Sequence, residues 1–414
     1  MSTASVVAPT HVRTLAVDDP VHLLDRLPSD GAVAWVRAGD GLVGWGEAAR
    51  VELSGPNRFA EAQRWWSNYC ATLRIDDQVS CPGSGPVAFA SFAFDPEPGR
   101  SVLVVPEVVV GRRDGRAWVT VVGDADPTLP LSALPEAPTG ITYAEGSRSA
   151  LQWQAAVRQA VARIVRGDLD KVVLARDLLA TADRPVDPRH LLTRLAARYP
   201  SCWTFAVDGL VGATPELLVR RAGAEVTSRV LAGTVRRLGD DVADGELAAG
   251  LMDSDKDLEE HEIAVHSVAD ALASFCSDLQ VPEHPRILRL ANVQHLATDV
   301  TGRLTEATSV LDLVAALHPT AAVCGTPTDV ALELIRELEG MERGRYAGPV
   351  GWLGTDGDGE FGIALRCAEV AGAKVRLFAG CGIVAGSDSE SELAEAQAKF
   401  VPIRDALESS LAQG

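Results

Sequence analysis

The sequence predicts an α+β fold built on largely antiparallel sheet, and three observations predict it. Short β-type runs meet at glycine turn signals, among them Gly39-Asp40-Gly41, Asp208-Gly209 and Ala371-Gly372, which join antiparallel neighbours. Helical periodicities fall between blocks of such strands rather than alternating with single strands, which argues against a doubly wound parallel sheet. Of 414 residues, 47% are hydrophobic and 23% charged, a balance that can bury a substantial core.

In chain order, residues 31–53 alternate apolar and polar side chains around Gly39-Asp40-Gly41 and read as a hairpin. Phe59 to Ile75 has helical spacing through Ala62, Trp65, Trp66 and Tyr69. Strands are expected at Val87 to Phe94, Ser101 to Arg112 and Arg116 to Gly123. The proline-bearing stretch Asp124 to Gly146 reads as a surface connector. Beyond it come a helix from Ser147 to Arg166, a strand from Lys171 to Ala180 and a helix from Pro188 to Tyr199. Strands at Cys202 to Val207 and Leu210 to Arg220 straddle Asp208-Gly209, and strand signals continue to Leu231. Helices occupy about Asp244 to Phe275 with a break, then Arg286 to Leu304 is strand-rich. Helices near Val310 to Leu317 and Thr328 to Leu338 precede two hairpins, turning at Asp356-Gly357-Asp358-Gly359 and at Ala371-Gly372. The last element, from Phe378 to Phe400, joins a glycine turn to an acidic helix.

Charge and cysteine usage exclude several classes. A net charge of −19 argues against nucleic-acid binding and against attraction to an anionic membrane, both of which need a basic footprint. Seven cysteines, odd in number and without a C-x-x-C pair, suit reduced thiols in a cytoplasm and give no zinc framework. No run approaches the roughly 18 apolar residues of a membrane helix, and the N-terminus lacks a secretory pattern, so a cytoplasmic protein is expected.

The acidic helix carries the first chemistry. Gly380, Gly382 and Gly386 allow close backbone approach, and Glu392 and Glu395 fall at i, i+3 with Lys399 four residues on, so all three share one side. The glycine spacing is not G-x-G-x-x-G, and an acidic first turn repels a phosphate unless a divalent cation stands between. A solvated helix with a Glu395–Lys399 pair is the plain alternative. Asp257 and Glu260 repeat the i, i+3 acid pair on another helix; the two pairs make a magnesium cage if the helices converge. Met252 to Asp257 imitates a calcium loop, but Leu258 and Ala264 occupy the positions that need glycine and glutamate. His261 and His266 are five apart, roughly 140° around a helix, so they cannot act as a zincin pair.

Lys171 opens an apolar strand, where lost solvation lowers an ammonium's pKa and makes a general base, although a lysine guarding a strand start would look the same. Glu216, in Gly-Ala-Thr-Pro-Glu, sits on a stiff bend and is either a buried general acid or a turn glutamate facing water. Arg366 is a lone charge in the apolar run Gly362 to Arg366, with Tyr346 opening the strand that pairs with it. Such an arginine grips a carboxylate, from the protein or from a substrate.

Several motifs in this order resemble the chorismate-utilising enzymes, the family of isochorismate synthase, salicylate synthase, anthranilate synthase component I and aminodeoxychorismate synthase. They are DKVVLAR (170–176), GATPE (212–216), AGTVRR (232–237), KDLEEHEIAV (256–265), NVQHLAT (292–298), LHPTAAVCGTP (317–327), RYAGPVGW (345–352), IALRCA (363–368) and AGCGIV (379–384). The resemblance implies the fold of anthranilate synthase component I, with large, mostly antiparallel β-sheets packed as layers and helices outside. Residues 147–414 would form the chorismate-binding core and 1–140 a variable N-terminal part of the same compact unit.

By that resemblance Glu260 and Glu395 would hold Mg2+, with Asp257 and Glu392 reaching it directly or through water, and the ion would hold the ring carboxylate of chorismate. Tyr346, Arg366 and the backbone at Gly380 and Gly382 would bind the enolpyruvyl carboxylate, Lys399 would add positive charge, and Gly233, Thr234 and His295 would line the pocket. Water-adding members look to have lysine where this chain has Lys171. Lys171 would then activate water for attack at ring carbon 2 and Glu216 would protonate the departing 4-hydroxyl, giving isochorismate with no glutaminase subunit. Salicylate synthases share both residues and go on to eliminate pyruvate, and a non-catalytic chorismate-binding subunit is the alternative of another class. Cys324-Gly325-Thr326-Pro327 and Ala297 look more like isochorismate synthases, while Ala321 departs from the proline common after His-Pro-Thr.

Overall fold

The computed structural model describes residues 9–128 and 131–408. Among them are eight α-helices: α1 (Arg58–Cys70), α2 (Ala150–Val165), α3 (Pro188–Arg198), α4 (Asp241–Met252), α5 (Asp255–Ala273), α6 (Val310–Leu317), α7 (Thr328–Leu338) and α8 (Ser389–Glu408). Two large sheets carry the rest of the regular structure. The larger runs, in spatial order, through Thr142–Glu145, Lys171–Thr181, Lys374–Ile383, Cys367–Ala371, Leu210–Thr214, Trp203–Val207, Val33–Arg37, Asp40–Trp45, Val108–Arg113, Arg116–Val122, Thr10–Ala16 and Leu73–Asp77. The second runs through Cys276–Gln280, Val293–Leu304, Glu225–Arg236, Leu217–Ala222, Gly359–Ile363, Pro349–Gly354, Val87–Ser91, Ser101–Val105 and Ala49–Leu53. Pairing is antiparallel among the described strands except between Thr10–Ala16 and Leu73–Asp77, which run parallel. The fold is α+β with mostly antiparallel layers.

Strands in the middle of both sheets are buried on both faces: Trp203–Val207, Leu210–Thr214, Pro349–Gly354 and Gly359–Ile363 are buried throughout. The helices cover one face of each sheet and the sheets meet on the other. Thus α2, α3 and α8 pack on the larger sheet, while α4, α5 and α6 lie on the second. Between the sheets the indole N–H groups of Trp35 and Trp203 both donate to Glu360 Oε1, which satisfies a carboxylate only 6% exposed. Strands from before residue 123 are woven into both layers, Val33–Arg37 beside Trp203–Val207 and Val87–Ser91 beside Pro349–Gly354.

Local chemistry explains several boundaries. A capping box starts α2: Gln152 N donates to Ser149 Oγ (3.3 Å) and Ser149 N to Gln152 Oε1 (2.9 Å). Gly167, at φ +83°, ends that helix, which buries Trp153, Val157 and Ala160. Expectation and structure part at several places. The expected strand Ser101 to Arg112 is split at Pro106 between the two sheets, and Gly380 and Gly382 lie within the strand Lys374–Ile383 rather than in a turn. The first helix stops at Cys70, and Leu73–Asp77 is a strand, because it pairs with the N-terminal strand Thr10–Ala16, a long-range partner with no local signal. Thr142–Glu145, inside the expected connector, adds an edge strand beside Lys171–Thr181. The expected strand from Leu210 to Arg220 breaks at Pro215-Glu216, where the chain leaves one sheet for the other. Arg366 lies in a left-handed bend (φ +47°) between Gly359–Ile363 and Cys367–Ala371, and Tyr346 precedes the strand Pro349–Gly354 rather than opening it. All seven cysteines are unpaired, and no helix among the described residues is long and apolar enough to cross a membrane.

Candidate active site

The two sheets exchange chain at neighbouring crossovers, and the site forms there. Pro215-Glu216 carries the backbone from the larger sheet to the second, and Ala364–Arg366 carries it back. The crossovers are tied together by Ala213 N donating to Arg366 O and Ile363 N to Glu216 O, both at 3.2 Å. Beside them opens a cleft of about 140 Å³. Every residue named above as a candidate lines it: Lys171 and Glu216; Gly233, Thr234 and His295; Tyr346 and Arg366; Gly380, Gly382 and Lys399; Asp257, Glu260, Glu392 and Glu395. Helices α5 and α8 therefore turn their acid pairs toward one space.

Each group has a local reason for its position. Lys171, 3% exposed, donates from Nζ to Glu260 Oε1 at 2.6 Å. That approach needs glycine at 382, where a Cβ would stand 2.9 Å from Glu260 Oε1 and 3.0 Å from Lys171 Cε. Gly380 likewise leaves room for the Tyr346 hydroxyl, which would be 3.0 Å from an added Cβ. Tyr346 stacks on Phe378 at 5.0 Å between centroids, and burial pushes its phenol above the ordinary value. Lys399 donates to Gly380 O at 2.8 Å and pairs with Glu395 Oε1 at 2.6 Å. Burial alone would lower that ammonium's pKa, but the Glu395 carboxylate outweighs it and holds the value above the usual one.

Glu216 is the group most altered by its surroundings. Burial raises its carboxyl from 4.5 to about 8, against the opposing pull of Arg366, Lys171 and Lys399. It is therefore mostly protonated at neutral pH and able to donate a proton. His295 is moved the other way, to about 3, by burial and by the nearby Arg366 and Lys399, so its ring is neutral. Its Nδ1 shares a 2.9 Å hydrogen bond with Thr234 Oγ1, and Nε2 is buried without a protein partner. Arg366 faces the cleft with no hydrogen bond or ion pair from its guanidinium to any described residue. A cation so placed is available to an anionic ligand.

For a metal ion, the cleft offers carboxylates from two helices. Ser254 Oγ donates to Asp257 Oδ2 at 2.5 Å and Ser387 Oγ to Glu392 Oε1 at 2.8 Å, fixing one acid in the first turn of each helix. Among the described residues, a group of ligand atoms within 4.8 Å of one another comprises Cys381, Glu392 and Glu395; no such group spans both helices. Burial pushes the Cys381 thiol well above its usual range, which keeps it protonated and leaves the carboxylates as donors. An oxygen donor set with room for water fits a hard cation of the magnesium type.

Sequence reasoning missed Arg343, which also lines the cleft. It is an ion-pair partner of Glu339 and donates to Val173 O and Val323 O at 2.8 Å, while Ala175 N donates to Glu339 Oε1 at 2.7 Å. This buried pair braces the strand that carries Lys171. The only sequence signal for Arg343 is an acid four residues before it, Glu339, just past the end of α7. Of the histidines set aside in the sequence, His261 is buried and bonds Thr298 Oγ1 at 2.8 Å, while the His266 side chain is 65% exposed.

Comparison with known proteins assigns the chain that carries this cleft to a family of enzymes. The family model described as "Chorismate binding enzyme" matches residues 10–137 and 131–408, and the chain belongs to that family. Among individual relatives, the isochorismate synthase MenF of Bacillus subtilis (strain 168) is 32% identical over 400 residues, 88% of this chain and 85% of that protein. The isochorismate synthase DhbC of the same organism is 45% identical over 256 residues, 59% of this chain and 64% of that protein. The solved structure of MenF, the menaquinone-specific isochorismate synthase of Escherichia coli, superposes with a TM-score of 0.81 at 28% identity, covering 97% of this chain and 95% of that one.

Proposed function

We propose that the protein is an isochorismate synthase, an isomerase that adds water at C2 of chorismate as the C4 hydroxyl leaves. The observation that carries the reading is the pairing, across one cleft, of the buried Lys171 with a Glu216 that stays protonated near neutral pH. Relatives named isochorismate synthase support it. Chemically, water loses a proton to Lys171 as its oxygen bonds to C2, the ring double bonds shift, and the C4–O bond breaks as Glu216 supplies the proton that makes water of the leaving group. One water enters and one departs. Nζ presents a lone pair only as the neutral amine, whose remaining N–H groups can keep the hydrogen bond to Glu260. Arg366 and the Tyr346 hydroxyl are available for a carboxylate of the substrate, with Lys399 adding positive charge. Neutral His295, held by Thr234, can bond the substrate without adding charge beside Arg366.

Glu260 and Glu395, with Asp257 and Glu392 directly or through water, would hold Mg2+. When bound, the ion supplies positive charge to anchor a substrate carboxylate among acids that would otherwise repel it. Incubation with chorismate and magnesium, with chromatography of the products, tests the reading. Isochorismate as the product supports it; salicylate with pyruvate would establish the salicylate synthase alternative, and no conversion would favour a non-catalytic chorismate binder. Glu260→Ala should lose magnesium-dependent binding of chorismate, whereas unchanged magnesium dependence would remove Glu260 from the proposed ligand set.

A further inference from the structure

Behind Glu216, on the side away from the main cleft, lies a second cavity of about 10 Å³, lined by Glu216, Ser228, Val230, Thr320, Ala322 and Ile363 among others. Glu216 and Ala322 line both cavities and so form the wall between them. That volume is about the smallest that holds one buried water. Thr320 is 6% exposed and its Oγ1 has no hydrogen-bond partner in the protein, although its carbonyl is fixed by Val323 N and Cys324 N at 3.1 and 3.0 Å. A buried hydroxyl left unmatched is costly, and one water in this cavity, whose wall includes Glu216, would give it a partner.

We propose that Thr320 is a positioning residue that holds one water against the Glu216 carboxyl, so that the carboxylate formed on proton transfer meets a hydrogen-bond donor from behind. The proposal rests on the role assigned to Glu216 under the proposed function. The transfer itself is unchanged: the proton moves from Glu216 to the leaving oxygen, and the water only donates a hydrogen bond to the carboxylate left behind. Losing that donor makes Glu216 a weaker acid and slows the step in which C4–O breaks, while substrate binding, on the cleft side, is untouched. The other charged groups acting on Glu216 are Arg366, Lys171 and Lys399, and Arg229, paired with Asp299 at 2.6 Å, lines the small cavity. None of them is altered by a change at Thr320.

The test compares Thr320→Val, which keeps the shape and removes the hydroxyl, with Thr320→Ser, which keeps the hydroxyl. Protein carrying 13C at glutamate side-chain carboxyls is titrated by NMR without substrate or metal, the Glu216 resonance being assigned by its loss in Glu216→Gln. Thr320→Val should raise the Glu216 midpoint by about one pH unit, with Thr320→Ser close to wild type. Turnover of chorismate should fall roughly three- to tenfold in Thr320→Val with KM within about twofold. A Glu216 midpoint identical in Thr320→Val and wild type overturns the proposal whatever the rates do, as does a Thr320→Ser variant indistinguishable from Thr320→Val. If wild type forms no isochorismate, the proposed function falls, and the NMR titration still decides whether Thr320 acts on Glu216.

Discussion

Replacing Glu216 by glutamine separates the cost of burying this acid from its use. A carboxyl moved from 4.5 to about 8, at 1.36 kcal/mol per pH unit, corresponds to about 5 kcal/mol. The sign follows from proton counts. Between those two pH values the folded chain holds a proton that the unfolded chain has released, so the contribution of Glu216 is fully present below pH 4.5 and is lost as pH rises through about 8. The amide of the Glu216→Gln variant is neutral in both states and escapes the loss. The difference in unfolding free energy, Glu216→Gln minus wild type, should therefore climb by about 4 kcal/mol from pH 5, where part of the loss has already occurred, to pH 9, the other titrating groups cancelling in the subtraction. Denaturant unfolding at pH 5, 7 and 9, in EDTA to exclude metal, measures it. Turnover should fall roughly 10²–10⁴-fold in the variant, because an amide cannot deliver the proton. Stability curves of variant and wild type that stay parallel from pH 5 to pH 9 would refute the reasoning, since Glu216 would then be an ordinary ionised carboxylate.

Lys171→Ala should abolish turnover while chorismate binding, measured by calorimetry with magnesium, is retained; turnover like that of wild type would remove the assigned base. Gly382→Ala should lower turnover and disturb the Lys171–Glu260 pair, because its Cβ would lie 2.9 Å from Glu260 Oε1, at a stability cost of about 1–3 kcal/mol. Gly386→Ala, where an added Cβ meets nothing within 4 Å, is the matched control. His295 and His318 are both held neutral by burial, with pKa values lowered to about 3. Their contribution to stability is present above pH 6.5 and is lost as pH falls from there toward 3, so the melting temperature should drop steeply across that range, and less so in His295→Gln. A variant with the acid sensitivity of wild type would contradict the account of His295.

Local patterns in the sequence carry the hairpins and the helices, because these depend on turn glycines and periodicity close in the chain. The division into two sheets is not in those patterns. Leu210 to Arg220 reads as one strand, and only the proline before Glu216 hints that the chain changes layers there. The pairing of Thr10–Ala16 with Leu73–Asp77 depends on partners about sixty residues apart, which periodicity cannot register. For the site, spacing places two acid pairs, each on one side of a helix, and leaves their convergence open; it takes the packing of α5 on the second sheet and α8 on the larger to turn both toward one cleft. The ambiguity at Glu216 is one of solvation alone, and its 5% exposure resolves it. Arg343 leaves only the nearby Glu339 as a trace in the sequence, because its other partners are backbone carbonyls contributed by other segments.

The claim on which the rest stands is that Lys171 activates a water that becomes the new hydroxyl. Conversion of chorismate in water enriched in 18O, with mass spectrometry of the isolated product, tests it directly. The expected result is isochorismate carrying one 18O at the C2 hydroxyl in each molecule formed, and no label in recovered chorismate at early times. Isochorismate without label would mean that the hydroxyl moves within the substrate, and would contradict the roles given to Lys171 and Glu216.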